Sequence, residues 1–182
     1  MKTVVLDGMY NDNEISEYLK DVFSDDADLS YYSLREKNIL ACKSCGICGH
    51  KTPGECFADD DMPAILKSIA NCDLIVMLTS LTFGGYSSVL KKAVDKFMVL
   101  GEAMYIVRKG HVLHPMRYGK KKLVVFAVED KEDISQRESF SKLVENNALN
   151  MQFNANTAFI SQAEYKNIIR GSIERAVSVA KS

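Results

Sequence analysis

Apolar residues along the chain fall into short continuous runs, separated by stretches in which they recur at helical spacing. Val4-Val5-Leu6 closes on Asp7-Gly8, a buried-strand signature ending in a turn. Asn11-Asp12-Asn13-Glu14 follows, and Asn11 with Glu14 three residues later forms a variant of the capping box that opens a helix. Ile15, Tyr18, Leu19, Val22 and Phe23 give that helix its apolar stripe. A second strand fits Leu29 to Leu34, after which residues 35–60 show no clean period. Pro63, whose missing N–H costs nothing in a first turn, opens a helix with Ile65, Leu66 and Ile69 on its buried side. Leu74-Ile75-Val76-Met77-Leu78 is a continuous apolar run, as in a strand covered on both faces. The loop from Thr82 to Tyr86 leads through Ser87 or Ser88, either of which can cap, into a helix carrying Leu90, Ala93, Val94 and Phe97. Leu123 to Val128 predicts another buried strand, followed by a helix near 134–150, a short strand over Thr157–Ile160 and a closing helix to about Val179.

Five short strands alternating with helices predict a parallel sheet covered on both faces, because right-handed crossovers force that packing. The count fits a flavodoxin-like, doubly wound, three-layer α/β/α fold of strand order 2-1-3-4-5 better than a six-strand dinucleotide fold. One domain is expected over residues 1–182, with a cysteine-bearing loop at 38–60 and a basic insertion at 101–121. No G-x-G-x-x-G, no phosphate-binding G-x-x-x-x-G-K-[ST], no repeat and no low-complexity segment interrupts it.

Composition narrows the class. The 182 residues are 47% hydrophobic and 26% charged, ordinary for a globular protein and able to bury a sizeable core. Charge nearly cancels at −1, which argues against a nucleic-acid binder that works by neutralising phosphates. It is unevenly spread: residues 1–62 carry −7 and residues 63–182 carry +6, a distribution suited to an anionic ligand on the second half or to a plain solvated surface. No apolar stretch approaches a membrane span, and the run before Asp7 is too short for a signal peptide, so a cytoplasmic protein is expected. Five cysteines in a reducing compartment point to metal ligation or redox work rather than disulfides.

In a doubly wound sheet, ligands bind outside the carboxyl ends of the strands, where the strand order reverses. That selects Gly8–Asn13, Thr79–Ser87 and 128–133. Gly84-Gly85 would let the backbone approach a flat ligand and free its N–H groups as donors. Cys42, Cys45, Cys48 and Cys56 read C-x2-C-x2-C-x7-C. Three thiols in seven residues, with a fourth to close the set, can wrap an iron–sulfur cubane; redox-active thiols and zinc are the other readings. Cys72, just before a strand, reads as a core residue, and His50 as a surface residue. Three histidines and no nucleophile elbow leave no hydrolytic constellation, as suits a protein whose cofactor carries the chemistry.

Two segments carry a family resemblance. Thr79-Ser80-Leu81-Thr82-Phe83-Gly84-Gly85-Tyr86, continuing through Ser88 and Lys91 to Phe97, resembles the isoalloxazine loop and helix of NADPH-dependent FMN reductase-like proteins. Cys42-Lys43-Ser44-Cys45-Gly46-Ile47-Cys48, with Pro53-Gly54-Glu55-Cys56, resembles the cysteine loop of the iron–sulfur flavoprotein branch. His114-Pro115-Met116-Arg117-Tyr118 is similar to a segment of some members. The resemblance implies a flavodoxin-like fold, bound FMN, NAD(P)H as co-substrate, electron transfer to an unidentified acceptor, and a 4Fe–4S cluster where the cysteines ligate one. By the same resemblance Ser80, Leu81, Thr82, Phe83, Gly84, Gly85 and Tyr86 would hold the flavin ring, with Glu129 and Asp130 flanking it. Gly8, Asn11, Asn13 and Ser16 would take the phosphate, and Cys42, Cys45, Cys48 and Cys56 the metal.

Two departures stand out. The family's phosphate loop is rich in Ser, Thr and often Arg, whereas Gly8-Met9-Tyr10-Asn11-Asp12-Asn13-Glu14 carries two acids that repel a dianion. Ser80 stands where the family commonly has Pro. A compensating cation is expected from residues 108–122, which hold Arg108, Lys109, Arg117, Lys120, Lys121 and Lys122 and no acid; Arg117 would reach a phosphate of FMN or NADPH over the flavin edge. Phe97, Met98, Val99, Leu100, Met104, Tyr105 and Ile106 exceed one amphipathic face and predict a homodimer or homotetramer. The alternative is a flavin-free flavodoxin-like scaffold whose cysteine loop binds a metal or a partner protein.

Overall fold

The computed structural model describes residues 1–108, 110–161 and 164–178, with side chains described as far as Arg175. Five parallel strands, β1 (Thr3–Asp7), β2 (Leu29–Ser33), β3 (Leu74–Ser80), β6 (Lys122–Val128) and β7 (Asn154–Ile160), form one sheet in the order β2-β1-β3-β6-β7. This is the flavodoxin-like order expected from the alternation of apolar runs. A short antiparallel hairpin, β4 (Ile106–Arg108) and β5 (His111–Leu113), stands apart in the insertion before β6.

Each buried strand sends alternate side chains to opposite faces, as its period of two requires. Leu6, Ile75, Met77, Leu123 and Val125 meet α3 (Met62–Ala70), α4 (Ser88–Asp95) and α5 (Ile134–Met151). Val5, Val76, Leu78, Val124 and Phe126 meet α1 (Glu14–Val22) and α6 (Tyr165–Ser178). The central strands are buried on both faces, which is why their sequences read as unbroken apolar runs. A single helical turn, α2 (Ile47–His50), lies inside the cysteine loop.

Several boundaries move. The last strand begins at Asn154 rather than Thr157, because Lys122 pairs with Asn154 and the parallel ladder recruits residues of low strand propensity. Asn13, not Asn11, caps α1: its side-chain oxygen accepts the Ser16 N–H at 2.9 Å, so Glu14 is the first helical residue, exposed, rather than the third of a capping box. Ser87, not Ser88, caps α4, accepting the Leu90 N–H at 3.2 Å. The closing helix is α6, and its expected end near Val179 lies outside the described residues.

Candidate functional site

The three loops selected by topology lie at the carboxyl ends of β1, β3 and β6, and each has its own set of bound and unbound polar groups. In the first, Gly8 is a packing glycine. A Cβ there would come within 2.6 Å of the Leu90 Cβ, and its N–H donates to Leu78 O at 2.8 Å. The Ser87 hydroxyl donates to Gly8 O at 2.6 Å, so Gly8 joins β1 to β3 and α4 and has no amide left for a ligand. From Tyr10 to Ile15 the situation reverses: among the described residues, no protein group accepts these backbone N–H groups. Ser16, in the first turn of α1, is fully buried beside the Tyr31 phenol, and among the described residues no group meets its hydroxyl at hydrogen-bonding geometry. A helix N-terminus with free amides and an unpaired buried hydroxyl is a ready anion cradle. Asn13 spends its side chain on the cap and on Asn11 O, at 3.0 Å, so its amide is not a free donor.

The same loop has a cation that sequence reading missed. Parallel pairing sets Asp7 beside Ser33, and two residues further Arg35 turns back onto the first loop. Its guanidinium meets the buried Asp7 carboxylate at 3.4 Å, Glu36 at 3.5 Å and Asp12 by a short hydrogen bond. Asp7 also accepts the Met9 N–H at 3.0 Å and the Tyr31 hydroxyl at 2.8 Å. Burial, and then the Asp7 charge, push the Tyr31 phenol far above its ordinary range.

The second loop differs from expectation. Leu81 N–H donates to Val128 O at 2.7 Å, Thr82 and Gly85 exchange backbone bonds at 3.1 and 2.9 Å, and Gly84 N–H donates to Gln136 Oε1 at 3.2 Å. These four amides, expected to face a flavin, are therefore occupied by the chain itself; among the described residues, those of Phe83 and Tyr86 have no protein partner. Glycine is nevertheless required at 84: φ is +70° and a Cβ would lie 2.9 Å from the Ser139 Cβ. Phe83 stands 97% exposed beside it. Tyr86 is buried, packed edge-on to Phe140 and hydrogen-bonded from Asn147, so its ring belongs to the core. Ser80 donates to the Met9 sulfur at 3.6 Å, and Ser88 N–H donates to the Tyr10 hydroxyl at 3.0 Å, which clasps the first loop to the second. Hydrogen bonds with the Ser88 side chain and backbone hold the Tyr10 phenol below its ordinary value.

In the third loop Glu129 is buried and held by a forked pair of bonds from Arg137, while Asp130 is exposed. Glu129 is thus committed to α5 rather than open to a ring. Asp133 caps α5, and Gln136 joins that cap to Gly84.

Away from the rim, Cys42, Cys45, Cys48 and Cys56 line one cavity of about 710 Å³, which Lys91, Asp95, Lys96 and Met98 also line. All four are free thiols, Cys45 exposed and the others half-buried. Burial and then the neighbouring Cys56 and Cys42 push the Cys48 thiol up. Among the described residues, no three Cys, His, Asp or Glu side chains come together as a metal-binding group. The loop is anchored by Asp60, which accepts the Leu40 and Met62 N–H groups at 2.9 and 3.0 Å and pairs with the buried Lys96. Although burial opposes it, Lys96 and those amides hold the Asp60 carboxyl below its ordinary value. His50 is exposed; Cys72 is buried, its thiol pushed up to about 11 by burial.

The basic run does not form one patch. Arg117 Nε donates to Gly101 O at 3.0 Å and its side chain lies 3.8 Å from the position a Gly54 Cβ would take, beside the cysteine loop instead of the flavin edge. Arg108 reaches Gln152, and Lys121 caps the end of α3 by donating to Ala70 O and Cys72 O, both at 2.9 Å. Lys109 lies outside the described residues.

Comparison with known proteins adds to this geometry. Residues 1–130 match the family model described as NADPH-dependent FMN reductase. The chain is 30% identical over 82 residues to an iron-sulfur flavoprotein of Methanocaldococcus jannaschii, covering 45% of this chain and 42% of that one. It is 30% identical over 99 residues to an iron-sulfur flavoprotein of Archaeoglobus fulgidus, covering 54% and 49%. The matched stretch thus spans about half the length of these curated relatives or less. A crystal structure of RosB with bound 8-demethyl-8-formylriboflavin-5'-phosphate superposes with a TM-score of 0.71 at 11% identity, over 100% of this chain and 81% of that one, a likeness of fold. With its strand order and more than two thirds of its length matched, the chain belongs to the NADPH-dependent FMN reductase family.

Proposed function

We propose that this protein is an FMN-dependent oxidoreductase that takes electrons from NAD(P)H and passes them to an acceptor whose identity is open. The observation that carries this reading is the anion cradle at the start of α1: unpartnered amides from Tyr10 to Ile15 around the unpaired, buried Ser16 hydroxyl. An unsatisfied buried hydroxyl costs roughly 1–3 kcal/mol, a cost a bound phosphate would remove. Bound FMN would supply hydride and single-electron chemistry. The chain's own part would be to position it: the first loop would hold the phosphate, and the unpartnered Phe83 and Tyr86 amides, beside the exposed Phe83 ring, would serve the flavin ring. Gly8 and Glu129 act through loop shape, since their polar groups are bound within the chain, and Asn13, whose side chain is spent on the cap, contributes its backbone amide alone. Asn11 acts through its backbone, whose carbonyl accepts from the Asn13 side chain and whose amide has no acceptor among the described residues.

Cys42, Cys45, Cys48 and Cys56 fit a 4Fe–4S cluster in kind and number, four free cysteines lining one cavity. We assign them that role as the residues that would hold such a cluster, which would supply single-electron transfer. Among the described residues the thiols are not gathered into a metal-binding group, so the loop between Ala41 and Cys56 would have to bring them together. Asp60 and Lys96 hold the base of that loop. The exposed Met98, Met104, Tyr105, Val107 and Val112 support a homo-oligomer, with the insertion hairpin at its interface. Among the described residues no helix is long and apolar enough to cross a membrane.

The test is the visible spectrum of protein purified without oxygen and then titrated with FMN. Flavin bands that bleach on addition of NADPH or NADH, with a broad brown shoulder, are the expected result. A colourless protein that leaves added FMN unperturbed overturns the oxidoreductase reading and favours the flavin-free scaffold, for which the occupied amides of Leu81, Thr82, Gly84 and Gly85 are the supporting observation.

A further inference from the structure

The cradle at α1 lacks a cation of its own: between Gly8 and Ser16 the charged side chains are Asp12 and Glu14. A phosphate dianion placed among them would meet repulsion with only dipoles to offset it. Arg35 changes this balance. It enters from the end of β2, its side chain 13% exposed, and divides its donors among three carboxylates, the buried Asp7 and the exposed Asp12 and Glu36, of which Asp12 alone belongs to the first loop. Asp7 is fully buried and further satisfied by Tyr31 and Met9, so it holds the guanidinium in place. Asp12 sits in the first loop with a side chain 71% exposed. An exposed carboxylate leaves such a pair at small cost, because water solvates it in return. The guanidinium has a planar fork of donors that suits phosphate oxygens as well as carboxylate oxygens.

We propose that Arg35 is the phosphate-selecting residue of the flavin site and that Asp12 is its internal competitor, displaced into solvent when the phosphate binds. Arg35 thereby takes the place of the cation that the first loop lacks, and Asp7 positions it from below. No covalent or redox step is involved; one ion pair is exchanged for another. The inference rests on the FMN reading and deepens it, by naming the residue that distinguishes a phosphorylated flavin from an unphosphorylated one.

The experiment measures dissociation constants of FMN and riboflavin for the full chain, by quenching of flavin fluorescence. The wild type is expected to prefer FMN over riboflavin by more than about tenfold. Arg35→Met should weaken FMN by about ten- to hundredfold while changing riboflavin by less than about twofold. Asp12→Asn should tighten FMN severalfold and leave riboflavin unchanged, and inorganic phosphate should compete with FMN more strongly in that variant. Arg35→Lys, which keeps charge but loses the fork, should fall between wild type and Arg35→Met. Should Arg35→Met fail to fold, Arg35→Lys and Asp12→Asn decide by themselves. The proposal is overturned if flavin binds but the preference for FMN survives loss of Arg35, or if Asp12→Asn fails to strengthen FMN binding. A wild type that binds riboflavin and FMN equally removes the proposal and leaves a flavin site; one that binds neither removes the FMN reading and the proposal with it.

Discussion

Ser16 and Gly8 lie at the two ends of the same loop and show how position decides what a small residue does. Gly8 has no room for a methyl group, with Leu90 Cβ 2.6 Å from where one would sit. Gly8→Ala should therefore cost about 1–3 kcal/mol through overpacking, read as a lower urea midpoint at unchanged slope. Ser16 shows the opposite pattern, a buried hydroxyl that no group among the described residues meets at hydrogen-bonding geometry. Ser16→Ala should leave stability equal or raise it by up to about 1 kcal/mol, since an unsatisfied polar atom is removed. The same variant should weaken FMN by about tenfold, measured by flavin titration. A residue whose loss strengthens the fold and weakens the ligand is the mark of a binding atom. Neither role is visible in the residue type, because both depend on which neighbours β3, α4 and β2 bring to the loop.

At the scale of elements, the cysteine loop has no regular structure beyond the turn of α2, so its shape depends on anchors. Asp60 is the chief one, tying Leu40, Met62 and Lys96, the residue just after α4, to a single buried carboxylate. Asp60→Asn would leave Lys96 buried without a counter-charge and should destabilise the protein by about 3–5 kcal/mol at neutral pH. The pH dependence follows from the sign of the shift. Asp60 is held below its ordinary value, so its stabilisation is present above that value and is lost as pH falls through the folded one. The deficit of Asp60→Asn should accordingly shrink below about pH 4, as urea unfolding at about pH 7 and about pH 3 would show. The α1 cap is a second example of an element settled by its surroundings. Asn11 and Glu14 have the right spacing for a capping box, but the chain enters the helix two residues later and Asn13 takes the role.

For the molecule as a whole, the apolar excess expected around 97–106 divides in two. Phe97, Val99 and Leu100 are core residues, whereas Met98, Met104 and Tyr105 are exposed and continue onto Val107 and Val112 of the hairpin. In the joint variant Tyr105→Glu and Val107→Glu the proposed homo-oligomer should fall to a monomer without loss of folding, as measured by sedimentation equilibrium; an unchanged mass, or a wild type that is already a monomer, overturns that assignment of the hairpin. The charge imbalance between the two halves likewise has a tertiary outcome, since the basic residues of the insertion disperse to Gln152, Gly101 and the end of α3.

What the sequence determined by itself was the sheet: the central strands are buried on both faces, so their middle positions are apolar, and a continuous run declares them at once. Their alternation with helices then implied the strand order, since right-handed crossovers leave few ways to cover both faces. That Cys42, Cys45, Cys48 and Cys56 line one cavity follows from their spacing too, because residues within a short segment cannot stray far apart. Only the tertiary structure decided which polar groups stay free. A backbone amide has no identity in the sequence, so the occupation of Leu81, Thr82, Gly84 and Gly85, and the freedom of Tyr10 to Ile15, depended on contacts with residues far along the chain. Arg35 was hidden for the same reason: a whole helix and strand separate it from the loop it serves, and parallel pairing of β1 with β2 brings them together.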